Sequence, residues 1–425
     1  MPDLLWPGDE RADALFAPET VLAALVRVEA AWLQALVRTG TVPAAARDDL
    51  LGLVTHRDVE AVATGAESSG NPVIPMLALL RGRLRERNPV AAQWVHRGLT
   101  SQDVLDTALV LCARDTARRI LTDLDQQVST LVALVERHRD DVMAGRTLTQ
   151  HAVPITFGLK AAQWLQGVLE ARDDLRRITH TLPAQVGGAA GTLAAAAELV
   201  SRSGSAATVE QVAGNTADTL GLASTPPWHT SRAPLTRYAD ALVTATDAWG
   251  RIANDVLLLV RPELGELAED AVEGRGGSST MPQKANPVLS VLIRRAAFTA
   301  PALGAQLHLA AAGAVDERPD GAWHTEWSTL ATLSRRTVTA GSQTAELLEG
   351  LHVDTGKMAA VVRQQTSALL AEQRSIAALF DSGESSARRP DPDFDPSHYL
   401  GGTSTLIDTI LDRARTDQTS NRETP

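Results

Sequence analysis

Two hydroxyls, a cation and an amide fall within one short run, Gly277-Ser278-Ser279-Thr280-Met281-Pro282-Gln283-Lys284-Ala285-Asn286-Pro287. Gly274, Gly276 and Gly277 free the backbone at its start, while Pro282 and Pro287 stiffen its later part. A segment that closes over a substrate and then releases it needs that combination. A flexible linker would account for the glycines. It has no need for Met, Lys and Asn set among prolines.

Three further segments carry polar chemistry. His96-Arg97-Gly98-Leu99-Thr100-Ser101-Gln102-Asp103 stands where the longest apolar repeat begins. Thr100-x-x-Asp103 is a capping-box pattern, and a cap alone would explain it. A helix N-terminus with free amides and two hydroxyls is equally a site for an anion. Thr149-Gln150-His151-Ala152 precedes another helical repeat, and a histidine there is more often structural than catalytic. Gln185-Val186-Gly187-Gly188-Ala189-Ala190-Gly191-Thr192 reads by itself as a turn. The sequence holds no Cys/His metal spacing, nucleophile elbow or phosphate-binding Gly-rich loop, so neither metal nor cofactor is expected.

The elements that must position these groups are helical almost throughout. From Leu99 to Ala144 there is neither Gly nor Pro, and Leu105, Leu109, Cys112, Ile120, Leu124, Val128, Leu131 and Val135 form one stripe. That run predicts a single, very long helix. Similar stripes cover 155–182, 235–261, 288–300 and 322–348, with breaks at Pro183, Pro226-Pro227, the 274–282 loop and Arg318-Pro319-Asp320-Gly321. Strand signals are weak. The expected fold is all-α: a helical N-terminal domain (1–98), a central long-helix bundle with the Ser278 loop (99–350), and a reduced helical C-terminal part (351–425) whose 381–397 stretch reads as a flexible connection.

Composition bounds the function. Aromatics are 4% of 425 residues, so the core must be mostly Ala, Leu and Val, which suits closely packed helices. A formal charge of -11 argues against a nucleic-acid surface, although local Arg and Lys can still hold a small anion. One cysteine, Cys112, fits a reducing compartment. The first residues show neither a basic nor an apolar signal region, and no apolar run looks long enough to span a bilayer. A cytoplasmic location without a membrane partner is expected.

In order along the chain, H-x-G-x-T-S-x-D, T-x-Q-H-A, Gln before a Gly/Ala-rich turn, and G-S-S-x-M-P-x-K-x-N resemble the fumarase/aspartase superfamily over roughly residues 10 to 355. Within it the similarity runs furthest toward the bacterial 3-carboxy-cis,cis-muconate cycloisomerases. Gly70-Asn71-Pro72-Val73-Ile74-Pro75, Pro227-Trp228-His229-Thr230-x-Arg232, Trp323-His324-x-Glu326-Trp327 and Asp395-Pro396-Ser397-His398-Tyr399-Leu400-Gly401 carry that likeness.

The resemblance implies cofactor-free addition or elimination beta to a carboxylate. Ser278 would be the base, made competent by loop amides and Lys284. Lys284 and Asn286 would grip the carboxylate whose charge grows. Thr100, Ser101, Gln150 and Gln185 would hold the other carboxylates, with Asn71 and Arg232 as further substrate contacts. His151 would serve as general acid in lyases, or would position a carboxylate leaving group in a cycloisomerase. The substrate would be a small di- or tricarboxylate, and the enzyme a homotetramer whose sites are shared between subunits. The first reading is lactonisation of 3-carboxymuconate in protocatechuate catabolism (the beta-ketoadipate pathway). The alternatives are a fumarate-forming lyase expelling an amine, nitro or similar group, and an inactive helical scaffold. Two departures stand out: Ala285 replaces a basic residue usual in the cycloisomerases, and the C-terminal part is short.

Overall fold

Apolar residues recurring at three and four close into helices over most of the chain. The computed structural model describes residues 3–272, 274–277, 280–281, 284–380 and 395–420. In chain order these form α1 (Pro18–Arg38), α2 (Val59–Ser69), α3 (Val73–Arg87), α4 (Pro89–Trp94) and α5 (Ser101–Arg137). A hairpin of β1 (Val142–Thr147) and β2 (Gln150–Thr156) leads into α6 (Phe157–Thr181), α7 (Ala194–Ser203), α8 (Val209–Leu220) and α9 (Ala233–Leu259). Then come β3 (Leu267–Ala268), α10 (Val288–Ala312), α11 (Gly321–Glu349), β4 (His352–Val353), α12 (Thr355–Leu369), α13 (Ala371–Phe380) and α14 (Thr403–Ser420). The fold is all-α, as expected, and its long helices follow the sequence stripes. Of the connection read over 381–397, residues 381–394 lie outside the described residues, and Pro396–His398 form a 3-10 turn.

The chain divides into two compact units. The first gathers Met1–Leu121, Asp173–Val243 and Thr299–Thr339; the second gathers Thr122–Arg172, Thr244–Phe298 and Ala340–Pro425. Each of α5, α6, α9, α10 and α11 contributes one part to each. In the first unit Leu33, Leu80, Leu109, Tyr238 and Leu333 are buried in the core. In the second, Leu131, Trp164, Trp249 and Ile252 are. There the Trp249 indole donates to Gln127 Oε1 at 2.7 Å, and Gln127 Nε2 donates to the Gly341 carbonyl at 2.9 Å. Gly341 is needed at that crossing, because a Cβ would lie 3.0 Å from the indole.

Three expectations change. The Gly- and Pro-free run is not one helix: α5 ends at Arg137, where His138 Nδ1 meets Asp141 Oδ2 at 2.7 Å. Phe157 and Gly158 amides then bond the Asp141 and His138 carbonyls, and Val142 onward pairs with β2. Absence of helix breakers does not make a helix when a partner strand and a closing turn are available. Second, the stripe from Leu105 to Val135, read as longer than one subunit's core can cover and so as a reason to expect a tetramer, is buried within the chain itself. Among the described residues, α10 carries an uncovered apolar face, where Val291, Phe298 and Leu309 are 52%, 68% and 73% exposed. Third, α1 and α10 do pass a test of length and hydropathy for crossing a bilayer; α1 is mostly buried in the fold and α10 mostly is not.

Candidate active site

In the first unit the head of α5 is organised by a carboxylate. Asp103 is fully buried and accepts four hydrogen bonds. Oδ2 takes the Thr100 and Gly188 amides, both at 2.9 Å; Oδ1 takes the Gly187 amide at 2.8 Å and His229 Nε2 at 2.9 Å. The cap read from the sequence is therefore one part of a larger junction. The Thr100 hydroxyl accepts from Arg318 Nη1 at 3.1 Å, and the Arg318 guanidinium lies over Trp323 at 5.1 Å. Thr100 and Ser101 thus combine hydroxyls, first-turn amides and a guanidinium, a set suited to a carboxylate. Arg318 was legible only as part of a helix break.

Gln185 is held beside this junction. Thr107 Oγ1 bonds both its amide and its carbonyl, at 2.8 and 3.0 Å, and its Oε1 accepts the Trp228 amide at 2.8 Å. Its buried Nε2 has no protein partner among the described residues, which leaves a donor for a ligand or water oxygen. His229 Nδ1 is likewise buried without a protein partner among them.

Arg232 is placed differently from the substrate contact expected of it. Its Nη1 and Nη2 meet Asp106 Oδ2 and Oδ1 at 2.7 and 3.0 Å, and Nη2 meets Glu326 Oε2 at 2.6 Å. Nε bonds Glu326 at 3.0 Å, and the Trp228 and His229 carbonyls take what Nη1 has left. Every guanidinium N–H is engaged. Trp323 Nε1 adds a bond to Asp106 at 2.8 Å. Burial alone would push Arg232 down, yet Asp106 and Glu326 hold it above its ordinary pKa. Glu326 lies above its ordinary value because it is buried, with Arg232 pulling back and Asp106 pushing further. Asp106–Arg232 is the firm ion pair, and Glu326 is the carboxylate whose charge is less favoured. Asp103 and Asp106 stand three apart on the buried face of α5, a spacing that could have flagged both.

Asn71, also expected to touch substrate, folds onto the backbone of the turn just before α3. Its Oδ1 accepts the Val73 amide at 3.0 Å and its Nδ2 donates to the Ser69 carbonyl at 3.2 Å. Next to it, His324 bonds the Gly70 carbonyl through Nε2 at 2.8 Å.

The second unit carries the other candidates. Gln150 and His151 are exposed on β2, one and two residues past the tight Leu148-Thr149 tip, whose φ values are 48° and 70°. His151 pairs in register with Arg146, whose guanidinium grips buried Glu266 through two bonds of 3.0 and 2.6 Å. Glu266 directly precedes β3 and the loop beyond, so the ion pair ties the hairpin to the base of that loop. Lys284 is exposed. The Asn286 amide and Nδ2 both donate to the Gly276 carbonyl at 2.9 Å, pinning the two ends of the loop together. Gly276 has φ 71°, and a Cβ there would meet the Asn286 carbonyl at 2.5 Å. Glu269 caps α10 through the Leu289 and Ser290 amides at 3.1 and 2.9 Å. Ser278, the expected base, lies outside the described residues, as do Ser279 and residue 273 of the loop read as a gate.

Residues 23–301 match a family model described as Lyase. The chain is 43% identical to nitrosuccinate lyase of Streptomyces davaonensis over 341 residues, 80% of this chain and 72% of that protein. It is 38% identical to 3-carboxy-cis,cis-muconate cycloisomerase of Pseudomonas aeruginosa over 378 residues, 88% of this chain and 80% of that protein. The crystal structure of 3-carboxy-cis,cis-muconate lactonizing enzyme from Pseudomonas putida aligns with a TM-score of 0.83 and 30% identity, covering 95% of this chain and 97% of that one.

The Arg232 junction makes a stability prediction. Arg232→Met strands two buried carboxylates and should cost about 3–5 kcal/mol in urea unfolding. Glu326→Gln keeps the shape and most bonds, and should cost about 1 kcal/mol near pH 5. An acid whose folded pKa is raised stabilises most at low pH and loses that contribution as pH rises past the unfolded value of about 4.3. The gap between Glu326→Gln and wild type should therefore shrink as pH increases. Equal unfolding midpoints for Arg232→Met and wild type would show that the junction is not a structural tie.

Proposed function

From the premise that the chain belongs to the Lyase family of the fumarase/aspartase superfamily, we propose that it eliminates a small group, nitrite first among the candidates, from a succinate-type dicarboxylate to leave fumarate. The sequence alone puts the cycloisomerase first; the 43% identity to a nitrosuccinate lyase and Ala285 in the Ser278 loop support the other order. Arg232, read as a further substrate contact, is held by Asp106 and Glu326 and adds no carboxylate grip. Among the described candidates, two carboxylate grips are left: Thr100–Ser101 with Arg318, and Lys284 with Asn286. Ala285 takes away another cation from the same loop. Two grips suit a dicarboxylate, and the identity to a nitrosuccinate lyase points the same way.

In this reading Ser278 removes the proton from the carbon alpha to the carboxylate held by Lys284 and Asn286. That carboxylate becomes an aci-carboxylate dianion, stabilised by the cation and amide donors. Its electrons return to form the C=C bond while the C–N bond breaks, its electron pair leaving on nitrite. Nitrite is a weak base and needs no proton to depart, so His151 orients or neutralises it. Thr100, Ser101, Arg318 and the Gln185 amide hold the second carboxylate, with Gln150 alongside His151.

The cycloisomerase reading keeps the support of the relatives so named and of the lactonizing-enzyme structure. The two are separated by assay: 2-nitrosuccinate should release nitrite and fumarate in equal amounts, and 3-carboxymuconate should be turned over at least about a hundredfold less well by kcat/KM. The reverse preference would return the cycloisomerase to first place. With the better substrate, Ser278→Ala should lower kcat by about a thousandfold or more with KM little changed. A near-normal kcat would move the base elsewhere.

We also propose a cytoplasmic homotetramer with sites shared between subunits, as the superfamily resemblance implies. The exposed apolar face of α10 supplies the physical reason, since Val291, Phe298 and Leu309 are otherwise left to water. Phe298→Glu should lower the assembly mass measured by light scattering and reduce activity in step. An unchanged tetramer would remove α10 from the interface.

A further inference from the structure

Glu29 of α1 is an expensive residue where it stands. Its side chain is fully buried, its Oε1 meets His96 Nδ1 at 2.6 Å, and its Oε2 has no protein partner among the described residues. A buried carboxylate held through one oxygen costs more than an apolar residue of similar size. His96 is costly as well: its φ of 65° lies in the left-handed region that non-glycine residues avoid. Strain and unsatisfied charge, 67 residues apart in sequence, meet at a single contact.

That contact fixes one turn. The Val95 carbonyl accepts Arg81 Nη2 at 2.9 Å, and the Arg97 carbonyl accepts Trp32 Nε1 at 2.7 Å. Gly98, at φ 89°, lies so near Ala196 and Trp32 that a Cβ would come within 3.1 and 3.2 Å of them. Three successive residues are thus bolted to α1 and α3, and three residues later Thr100 opens α5. We infer that the Glu29–His96 pair is a positioning device for the carboxylate grip at the head of α5. It sets where Thr100 and Ser101 stand relative to Arg318, and neither member touches substrate. The inference rests on the reading of Thr100–Ser101 as a substrate grip.

The test uses the assembled enzyme, with succinate as the probe, its Kd measured by calorimetry. Asn tolerates the left-handed region, so His96→Asn removes the tie while sparing the turn. Glu29→Gln keeps the shape of the carboxylate and removes its charge. Each should raise the succinate Kd about tenfold, and KM likewise, with kcat changed by less than about twofold. The double variant should be no worse than either single one, because both act through one contact. Lower melting temperatures with unchanged succinate affinity would make the pair merely structural and overturn the inference. Thr100→Val separates the layers. If it weakens succinate binding and His96→Asn does not, the inference alone falls; if it also leaves binding unchanged, the grip itself is wrong and the inference falls with it.

Discussion

The polar head of α5 depends on the carboxylate of Asp103. Four N–H groups from three separate stretches of chain converge on its two oxygens. Position makes this feasible: the first turn of a helix favours negative charge and has amides to spare. With the charge so placed, the Gly187-Gly188 turn is drawn against the helix start, and Gln185 is carried to the same place. The glycines are required by that approach, since a Cβ at Gly187 would lie 2.7 Å from the His229 ring. Removing the carboxylate would strand its donors together, which is why one residue can set the geometry of several others.

The same division of labour recurs. Gln185 Nε2 and exposed Lys284 are left to a ligand or water, while Asp103, Asp106 and Arg232 are buried and engaged. Asp106, Arg232 and Glu326 fix α5, the 228–232 segment and α11 in the first unit. Arg146 and Glu266 fix the hairpin below His151 in the second. Buried pairs of this kind contribute little net stability, because desolvation offsets most of their attraction. Their effect is to penalise alternative arrangements, each of which leaves a charge alone in the core. Exposed His151 and Lys284 can then sit on short, simple elements without losing precision.

The long helices and the order of the polar segments were legible in the sequence because each rests on local spacing. The identity of the ties was not. Arg232 meets partners 126 and 94 residues away, Arg318 reaches Thr100 across 218, and Glu29 reaches His96 across 67. No local pattern separates an arginine that will grip substrate from one that will be consumed by two aspartate- or glutamate-type partners. The hairpin was hidden for a related reason. Val142-Met143-Ala144 lacks helix breakers and becomes a strand only because Pro154-Ile155-Thr156 lies across from it. Position 285 was legible in the sequence alone, as the place of a basic residue taken by Ala285.

A fold shared by proteins named for different reactions reflects what those reactions have in common. The demanding step is removal of a weakly acidic proton beside a carboxylate, and it needs a base together with donors for a dianion. Loop and donors can stay constant while the departing group varies. What varies is how much help that group needs. An amine must gain a proton before it leaves, whereas nitrite or a carboxylate departs as a stable anion. On the proposed mechanism an imidazole such as that of His151 serves as proton donor for the first kind of group and as electrostatic guide for the second. Discrimination between substrates then falls to the number of carboxylates the pocket can hold. In this chain the Arg232 guanidinium is engaged by Asp106 and Glu326 and has no N–H left for a further carboxylate.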